Sequence, residues 1–140
     1  MTAERATRVV RADSARIREL LSRPLELPDW NPAFTHLTGA ATAVQDHPYE
    51  LLARGGLRGT FVYTAMLEHR VDMRWDVPGL RETATWMLEP APGGTLVTHE
   101  FAQVGPLAFA LRGAMRGVAT LRLARLADIV EAADFGRHSE

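Results

Sequence analysis

Several side chains in this sequence of 140 residues have the chemistry to transfer a proton or to hold a developing negative charge. His99 is the strongest candidate for a general acid or base, because the charge of an imidazole changes near neutral pH. Glu82 or Tyr63 would complete a dyad with it, and Arg122 would hold an oxyanion or the carboxylate of a ligand. Each of them also has a structural interpretation, which the sequence leaves open. In that interpretation Arg122 pairs with Glu82 or Glu100, and the imidazole is satisfied by a neighbouring strand or by the Tyr63 hydroxyl.

The segment that carries Arg122 has the pattern of one long helix. Residues 107–132 contain no proline, and their apolar side chains recur at steps of three and four. One face of this predicted helix carries Leu107, Leu111, Met115, Val118, Leu126 and Ile129. Arg122 projects from the middle of that face, and Arg125 lies near its edge. Because an unpaired buried charge is costly, we expect an inward carboxylate or a ligand to meet the Arg122 guanidinium.

Most of the chain before this helix has the pattern of strands. A first strand over 6–12 leads into a short amphipathic helix that ends at Pro24. Residues 27–32 form a proline-bracketed helical turn, in which we expect Trp30 to pack into the domain. Six further strands are predicted at 34–45, 49–54, 59–67, 71–77, 82–89 and 95–103. The connections between these strands are short, so the sheet is predicted to be an antiparallel meander.

Alternation along the strands predicts which side chains face the concave side of the sheet. In the strand 59–67 the inward positions are Phe61, Tyr63, Ala65 and Leu67. We expect an internal cavity between the sheet and the long helix, which contributes Met115 and Val118. The strand side chains expected to line this cavity are Phe61, Tyr63, Met73, Trp75, Trp86, His99 and Phe101. Taken alone, so many aromatic side chains favour an ordinary core, and a match of fold is needed to favour the cavity.

Composition excludes several classes of chemistry. The formal net charge is −1, with 16 basic and 17 acidic residues, so the sequence lacks the excess of basic residues that is typical of nucleic-acid-binding proteins. All of the basic residues are arginine, which excludes lysine catalysis, and the lack of cysteine excludes thiolates and fits a reducing cytoplasm. The five histidines are scattered and no phosphate-binding glycine loop is present, so we expect no metal and no cofactor. Without a signal-peptide pattern or an apolar run of membrane-spanning length, the expected location is cytoplasmic and away from membranes.

The outward face of the predicted long helix carries a strip of small residues. The strip consists of Ala110, Gly113, Gly117, Thr120 and Ala124, with charge only beyond it at Asp128 and Glu131. Exposed helix surface is normally charged, so such a strip favours close contact with another chain. The pattern is equally compatible with a homodimer and with a monomer in which these positions simply carry small side chains.

Four segments of the chain carry a resemblance to a known family. They are Ala12-Asp13-Ser14 at the start of the first helix, LPDWNP at 27–32, TWMLEP at 85–90 and GGTLVTHEF at 93–101. With the order of elements, they resemble the START/Bet v1-like (SRPBCC) superfamily, and especially its polyketide cyclase/dehydrase branch. The resemblance implies an α+β helix-grip fold, in which a curved antiparallel sheet wraps a long C-terminal helix around an internal cavity and two small N-terminal helices close one end. We therefore expect one ligand-cavity domain over 1–135 and a tail over 136–140.

The same resemblance implies two alternatives for function. The first is a cyclase, aromatase or dehydratase that folds a polyketide-like or other apolar substrate into a near-attack conformer, with acid–base catalysis by His99, Tyr63, Glu82 and Arg122. The second is a carrier that binds a hydrophobic small molecule without chemistry. Fold alone does not choose between them. Loss of His99 or Arg122 would stop turnover in the enzyme but would change affinity only modestly in the carrier.

Overall fold

The computed structural model describes residues 1–138, with side chains up to residue 132, and contains seven strands and four α-helices. The strands are β1 Thr2–Val10, β2 Phe34–Thr38, β3 Tyr49–Ala53, β4 Leu57–Leu67, β5 Arg70–Val77, β6 Leu80–Ala91 and β7 Gly94–Val104. The helices are α1 Ser14–Leu21, α2 Leu27–Trp30, α3 Pro106–Leu111 and α4 Val118–His138, and a 3₁₀ turn spans Pro24–Glu26. Helix α4 thus extends into the predicted tail 136–140, of which residues 139 and 140 lie outside the described residues.

The seven strands form one antiparallel sheet with the order β1-β7-β6-β5-β4-β3-β2. From β2 to β7 each strand pairs with its successor, and β1 joins the sheet beside β7. The predicted antiparallel meander is confirmed, since turns this short permit no parallel pairing. The sheet curves around α4, whose buried side consists of Ala119, Arg122, Leu123, Leu126, Ala127 and Val130.

The inward faces of β5, β6 and β7 follow the predicted alternation, whereas the face of β4 changes partway along the strand. In β5, for example, the buried positions are Val71, Met73, Trp75 and Val77. The pairing of β4 with β5 shifts register between Tyr63 and Ala65, and such a bulge adds one residue to one strand. Beyond the bulge Met66 packs against the core, while Leu67 is 59% exposed. The predicted inward set is therefore correct for Phe61 and Tyr63 and wrong for Leu67.

The predicted single helix over 107–132 is wrong, because the chain leaves the helix between α3 and α4. Gly117, just before α4, has a φ of 80°, a conformation that favours glycine. The Glu4 carboxylate on β1 accepts the N–H of Gly117 at 2.9 Å and that of Ala119 at 3.1 Å. These bonds satisfy two of the first N–H groups of α4 and place a negative charge at its positive end. The small-residue strip is consequently not one helix face, since Gly113 lies in the connection.

Helix α3 is attached beside the turn between β5 and β6. The N–H of Leu107 donates to the carbonyl oxygen of Gly79 at 2.9 Å. Gly105, which precedes α3, has a φ of 111°, and a Cβ there would lie 2.3 Å from the same carbonyl oxygen. Only glycine fits at this position. The segment from Gly105 to Gly117 is thus a separate piece of backbone with a glycine at each end.

Two short helices after β1 pack against the sheet and against α4. The Asp13 carboxylate caps α1 by accepting the N–H of Arg16 at 2.9 Å. The buried side of α1 consists of Ile17, Leu20 and Leu21. Trp30, at the end of α2, is fully buried and meets the Trp86 ring edge-on, with 5.2 Å between the ring centroids. The predicted packing of Trp30 into the domain is confirmed.

Two predicted strands differ in extent from the observed ones. Strand β1 pairs with β7 from Thr2 to Val10 rather than over 6–12. Strand β2 ends at Thr38, well before residue 45, because the chain turns at Gly39. A Cβ on Gly39 would lie 2.3 Å from the Tyr49 ring, so the close approach of that ring needs glycine.

Candidate functional site

A cavity of about 440 Å³ lies between the sheet, α3 and the start of α4. The side chains and backbone that line it are those of Pro32, Ala33, Ala53, Arg54, Gly55, Leu57, Trp75, Val77, Leu80, Gln103, Leu107, Leu111, Ala114, Met115, Val118, Leu121 and Arg122. Most of these are apolar. Arg54 is exposed and belongs to the rim, whereas Gln103 and Arg122 are only 1% and 0% exposed. The cavity therefore has apolar walls with two polar side chains at its inner end.

The structure divides the predicted site residues into two groups. Those that line the cavity are Trp75, Met115, Val118 and Arg122. Those that pack in the core beside it are Phe61, Tyr63, Met73, Glu82, Trp86, His99 and Phe101. The rings in the second group fill the interior by direct contact: Phe61 meets Tyr63 edge-on at 5.0 Å, and Trp86 stacks on His99 at 3.7 Å. The cavity wall therefore does not run along these side chains, as the sequence led us to expect, but lies toward α3.

Glu82, on β6, is a buried carboxylate that accepts four hydrogen bonds. The Trp75 Nε1–H donates to Oε2 and the Gln103 Nε2–H to Oε1, both at 2.8 Å. Arg122 donates from Nη1 to Oε2 at 3.1 Å and from Nη2 to Oε1 at 2.9 Å. Strand register explains the group, because Glu82 lies opposite Trp75 on β5 and opposite Gln103 on β7. We call these four residues the Glu82 cluster.

Arg122 is fully buried, and its charge is neutralised by Glu82. The two-point contact between guanidinium and carboxylate is a strong geometry for a charged pair. A further contact of 3.3 Å joins Arg122 Nη1 to His99 Nε2. The predicted contact of Arg122 with an inward carboxylate is confirmed for Glu82. Glu100, the alternative partner, instead pairs with the exposed Arg5 of β1.

The hydrogen bonds of His99 determine its tautomer. Its Nδ1 lies 3.2 Å from the carbonyl oxygen of Thr85, which can only accept, so Nδ1 carries the proton. Its Nε2 then accepts from Arg122. Burial, and after it the positive charge of Arg122, lower the pKa of His99 to about 3, although the bond to Thr85 acts in the opposite direction. The imidazole is neutral at neutral pH, so it lacks the second proton that an imidazolium would give as a general acid, and it is a weak base.

The Tyr63 hydroxyl contributes to the packing of α1. It donates to the carbonyl oxygen of Leu21, the last residue of α1, at 2.7 Å. Burial, and to a lesser extent the neighbouring Tyr49, raise the pKa of Tyr63. The other three predicted catalytic side chains form one contact network, whereas Tyr63 is hydrogen-bonded elsewhere.

Two atoms of the Glu82 cluster have no hydrogen-bond partner among the described residues: Arg122 Nε and Gln103 Oε1. The orientation of the Gln103 amide follows from its bond to Glu82, because a carboxylate accepts from the NH₂ side only. Buried polar groups are normally paired, so these two atoms are exceptions in an otherwise satisfied cluster. Sequence reasoning missed Gln103 as a site residue. The signal was available, since Gln103 is a polar residue two positions after Phe101 on the same inward face.

Other surface pockets are lined in part by charged side chains of α1, Arg18 and Glu19 among them. Within the part of the chain that the structure describes, no three histidine, aspartate or glutamate side chains come together to hold a metal ion. None of the described helices combines the length and the apolar character needed to cross a membrane.

Solved structures show the same fold at low sequence identity. A protein from Chromobacterium violaceum aligns with a TM-score of 0.72 and 20% identity, over 94% of this chain and 99% of that one. A protein from Mesorhizobium loti aligns with a TM-score of 0.75 and 15% identity, over 93% and 97%. DynU16, from the dynemicin biosynthetic locus, aligns with a TM-score of 0.70 and 17% identity over 95% of this chain, which spans only 48% of DynU16.

Family membership follows from the sequence match. Comparison with curated proteins gives no match. Residues 1–131 match the model of the family described as polyketide cyclase / dehydrase and lipid transport. Nearly the whole described fold lies within this range. The chain therefore belongs to the polyketide cyclase/dehydrase and lipid transport family, within the SRPBCC type.

Proposed function

We propose that this protein binds an apolar small molecule in the cavity between the sheet, α3 and α4. The observation that carries the proposal is the wall, which borders a partly open space of about 440 Å³ and is apolar except at Gln103, Arg122 and the rim residue Arg54. Apolar pockets with a few convergent polar groups are typical of sites for small molecules. The family description is consistent with such a ligand, because it includes lipid transport and lipids have large apolar parts.

The hydrogen bonds of the candidate catalytic groups favour binding over acid–base catalysis. His99 is neutral and lies beside the cavity rather than on its wall. The Glu82 carboxylate already accepts four bonds, and the Tyr63 hydroxyl is used by the backbone of α1. A general acid or base must reach the proton that it transfers, and in the empty protein these three groups are turned to other partners.

A second candidate function is cyclisation or dehydration by conformational control. Its specific support is Arg122, a cation on the cavity wall that would stabilise an oxyanion on a bound substrate. The family description and the biosynthetic locus of DynU16 support the same candidate. In this mechanism the walls would hold a flexible substrate in a near-attack conformer. Proton transfer by His99 would have to work against its pKa of about 3.

Binding of the neutral fluorescent probe N-phenylnaphthylamine tests the proposed function. Val118 lines the cavity in the first turn of α4, so Val118→Trp fills part of the space. We expect this variant to bind the probe at least about tenfold more weakly than the unchanged protein. Thr120→Trp places the same ring on the exposed side of the same helix and should bind normally. Equal affinity of the two variants would show that the probe binds outside the cavity and would contradict the proposal.

A further inference from the structure

Two unpaired buried polar atoms belong to side chains that line the cavity. Arg122 Nε–H is a donor without an acceptor, and Gln103 Oε1 is an acceptor without a donor, among the described residues. Their side chains are only 0% and 1% exposed, and both line the cavity. Arg122 Nη2 and Gln103 Nε2 donate to the same oxygen, Glu82 Oε1, at 2.9 and 2.8 Å. One carboxylate oxygen therefore anchors both of the side chains that carry the unpaired donor and the unpaired acceptor.

We propose that this pair binds a single hydroxyl group on an otherwise apolar ligand. The inference rests on the proposed binding function and names the ligand class. The hydroxyl oxygen accepts the Arg122 Nε–H, and the hydroxyl proton is donated to Gln103 Oε1. A hydroxyl group is both donor and acceptor, so one group satisfies both atoms. The rest of the ligand contacts the apolar wall, to which Leu57, Met115 and Val118 contribute.

The charges of the cluster disfavour an anionic group in this position. Glu82 already neutralises Arg122, so a ligand carboxylate would add a second buried negative charge beside Glu82. It would also direct its lone pairs at Gln103 Oε1. A ketone or an ether accepts from Arg122 but leaves Gln103 Oε1 unpaired, and an unpaired buried acceptor is costly. The site therefore selects an alcohol or a phenol.

Displacement of N-phenylnaphthylamine by four probes with the same apolar body tests this selection. The probes are para-tert-butylphenol, para-tert-butyltoluene, para-tert-butylanisole and para-tert-butylbenzoate. In the unchanged protein we expect the phenol to bind about tenfold more tightly than the toluene and the anisole. A purely apolar site would prefer the toluene, because a hydroxyl group must be desolvated to enter it. The benzoate is measured in Arg54→Gln, so that the exposed guanidinium at the rim cannot hold it, and should bind at least about tenfold more weakly than the phenol.

A variant of Gln103 removes the acceptor, together with the Nε2–H that donates to Glu82. Gln103→Leu is expected to reduce the preference for the phenol over the toluene by about tenfold, and to leave the affinity for the toluene within about twofold. Gln45→Leu makes the same change at an exposed position away from the cavity and should keep the full preference. If Gln103→Leu does not fold, the affinities of the phenol and the anisole for the unchanged protein test the role of the acceptor, because the anisole cannot donate to Gln103.

The possible results separate the inference from the proposed function. Failure of the fluorescent probe and of all four competitors to bind would overturn both. Binding of the toluene with no gain for the phenol would leave the proposed function intact and overturn the hydroxyl site. The benzoate binding as tightly as the phenol in Arg54→Gln would also overturn it, since the Glu82 cluster would then accept an anion.

Discussion

Replacement of Arg122 by methionine should reveal how much the fold depends on the pairing of the buried guanidinium. The change leaves Glu82 as a buried carboxylate with Trp75 Nε1 and Gln103 Nε2 as its remaining donors. Methionine retains much of the apolar stem of arginine, so the main loss is the charge and its hydrogen bonds. Removing one partner of a buried ion pair typically costs about 3–5 kcal/mol. Since a domain is stabilised by about 5–15 kcal/mol in total, this is a large fraction of the free energy of unfolding.

A second substitution separates the lost charge from the lost packing. Adding Glu82→Gln to Arg122→Met removes the uncompensated carboxylate and keeps an oxygen acceptor for the Trp75 N–H. We expect the double variant to be more stable than Arg122→Met by about 2 kcal/mol or more. Arg125→Met, at an exposed position on the same helix, is the matched control and should change stability by no more than about 0.5 kcal/mol.

Urea unfolding followed by tryptophan fluorescence gives the free energy of unfolding for each of these variants. Thermal unfolding gives an independent reading, with an expected fall in the midpoint of about 10–20 °C for Arg122→Met. The reasoning would be refuted if Arg122→Met cost less than about 1 kcal/mol and the double variant were no more stable. That result would mean that Glu82 does not depend on the guanidinium for its charge to be buried.

Two further predictions concern pH and helix capping. The pKa of His99 is about 6.5 in the unfolded chain and about 3 in the folded one, so the unfolded chain takes up the proton first as the pH is lowered. The free energy of unfolding should therefore fall between about pH 6.5 and pH 3, by up to about 1.4 kcal/mol per pH unit. Urea unfolding across this range should show a flatter slope for His99→Gln than for the exposed control His36→Gln, and equal slopes would contradict a buried neutral imidazole. Glu4→Ala should destabilise the protein by about 1 kcal/mol, because the N–H groups of Gly117 and Ala119 lose their acceptor, whereas Glu4→Gln keeps one and should lose less. An unchanged melting midpoint for Glu4→Ala would show that the cap contributes nothing.

The direction in which the strand side chains point was predictable from the sequence, but their position relative to the cavity was not. Alternation placed Trp75 and Trp86 on the inward side, because a period of two is a property of the strand itself. Whether an inward side chain meets another ring or the cavity depends on what lies opposite it. For Phe61 and Trp86 the facing rings are Phe34 and Trp30, which belong to other elements and which the patterns of β4 and β6 do not reveal.

The errors of the sequence-based description share a non-local cause. The break before α4 involves Glu4 and Gly117, which are 113 positions apart, while the apolar spacing continues through the break and suggests one helix. The shift after Tyr63 arises from the pairing of two strands and leaves no mark in the alternation of either. The contact between Arg122 and Glu82 could be predicted from the sequence, because a charge in an apolar stripe requires an opposite charge on the facing layer.

The segment between Gly105 and Gly117 forms a wall of the cavity without belonging to the sheet or to α4. Its two ends are attached independently, by the bond from Leu107 to Gly79 and by the bonds that Glu4 accepts at the start of α4. Sequence changes within the segment can therefore reshape the cavity while strand register and the packing of α4 stay as they are. Under the proposed binding function, changes in this stretch would alter ligand preference with the least effect on the scaffold. An exchange of the same stretch between relatives would accordingly change ligand preference while the sheet and α4 stay the same.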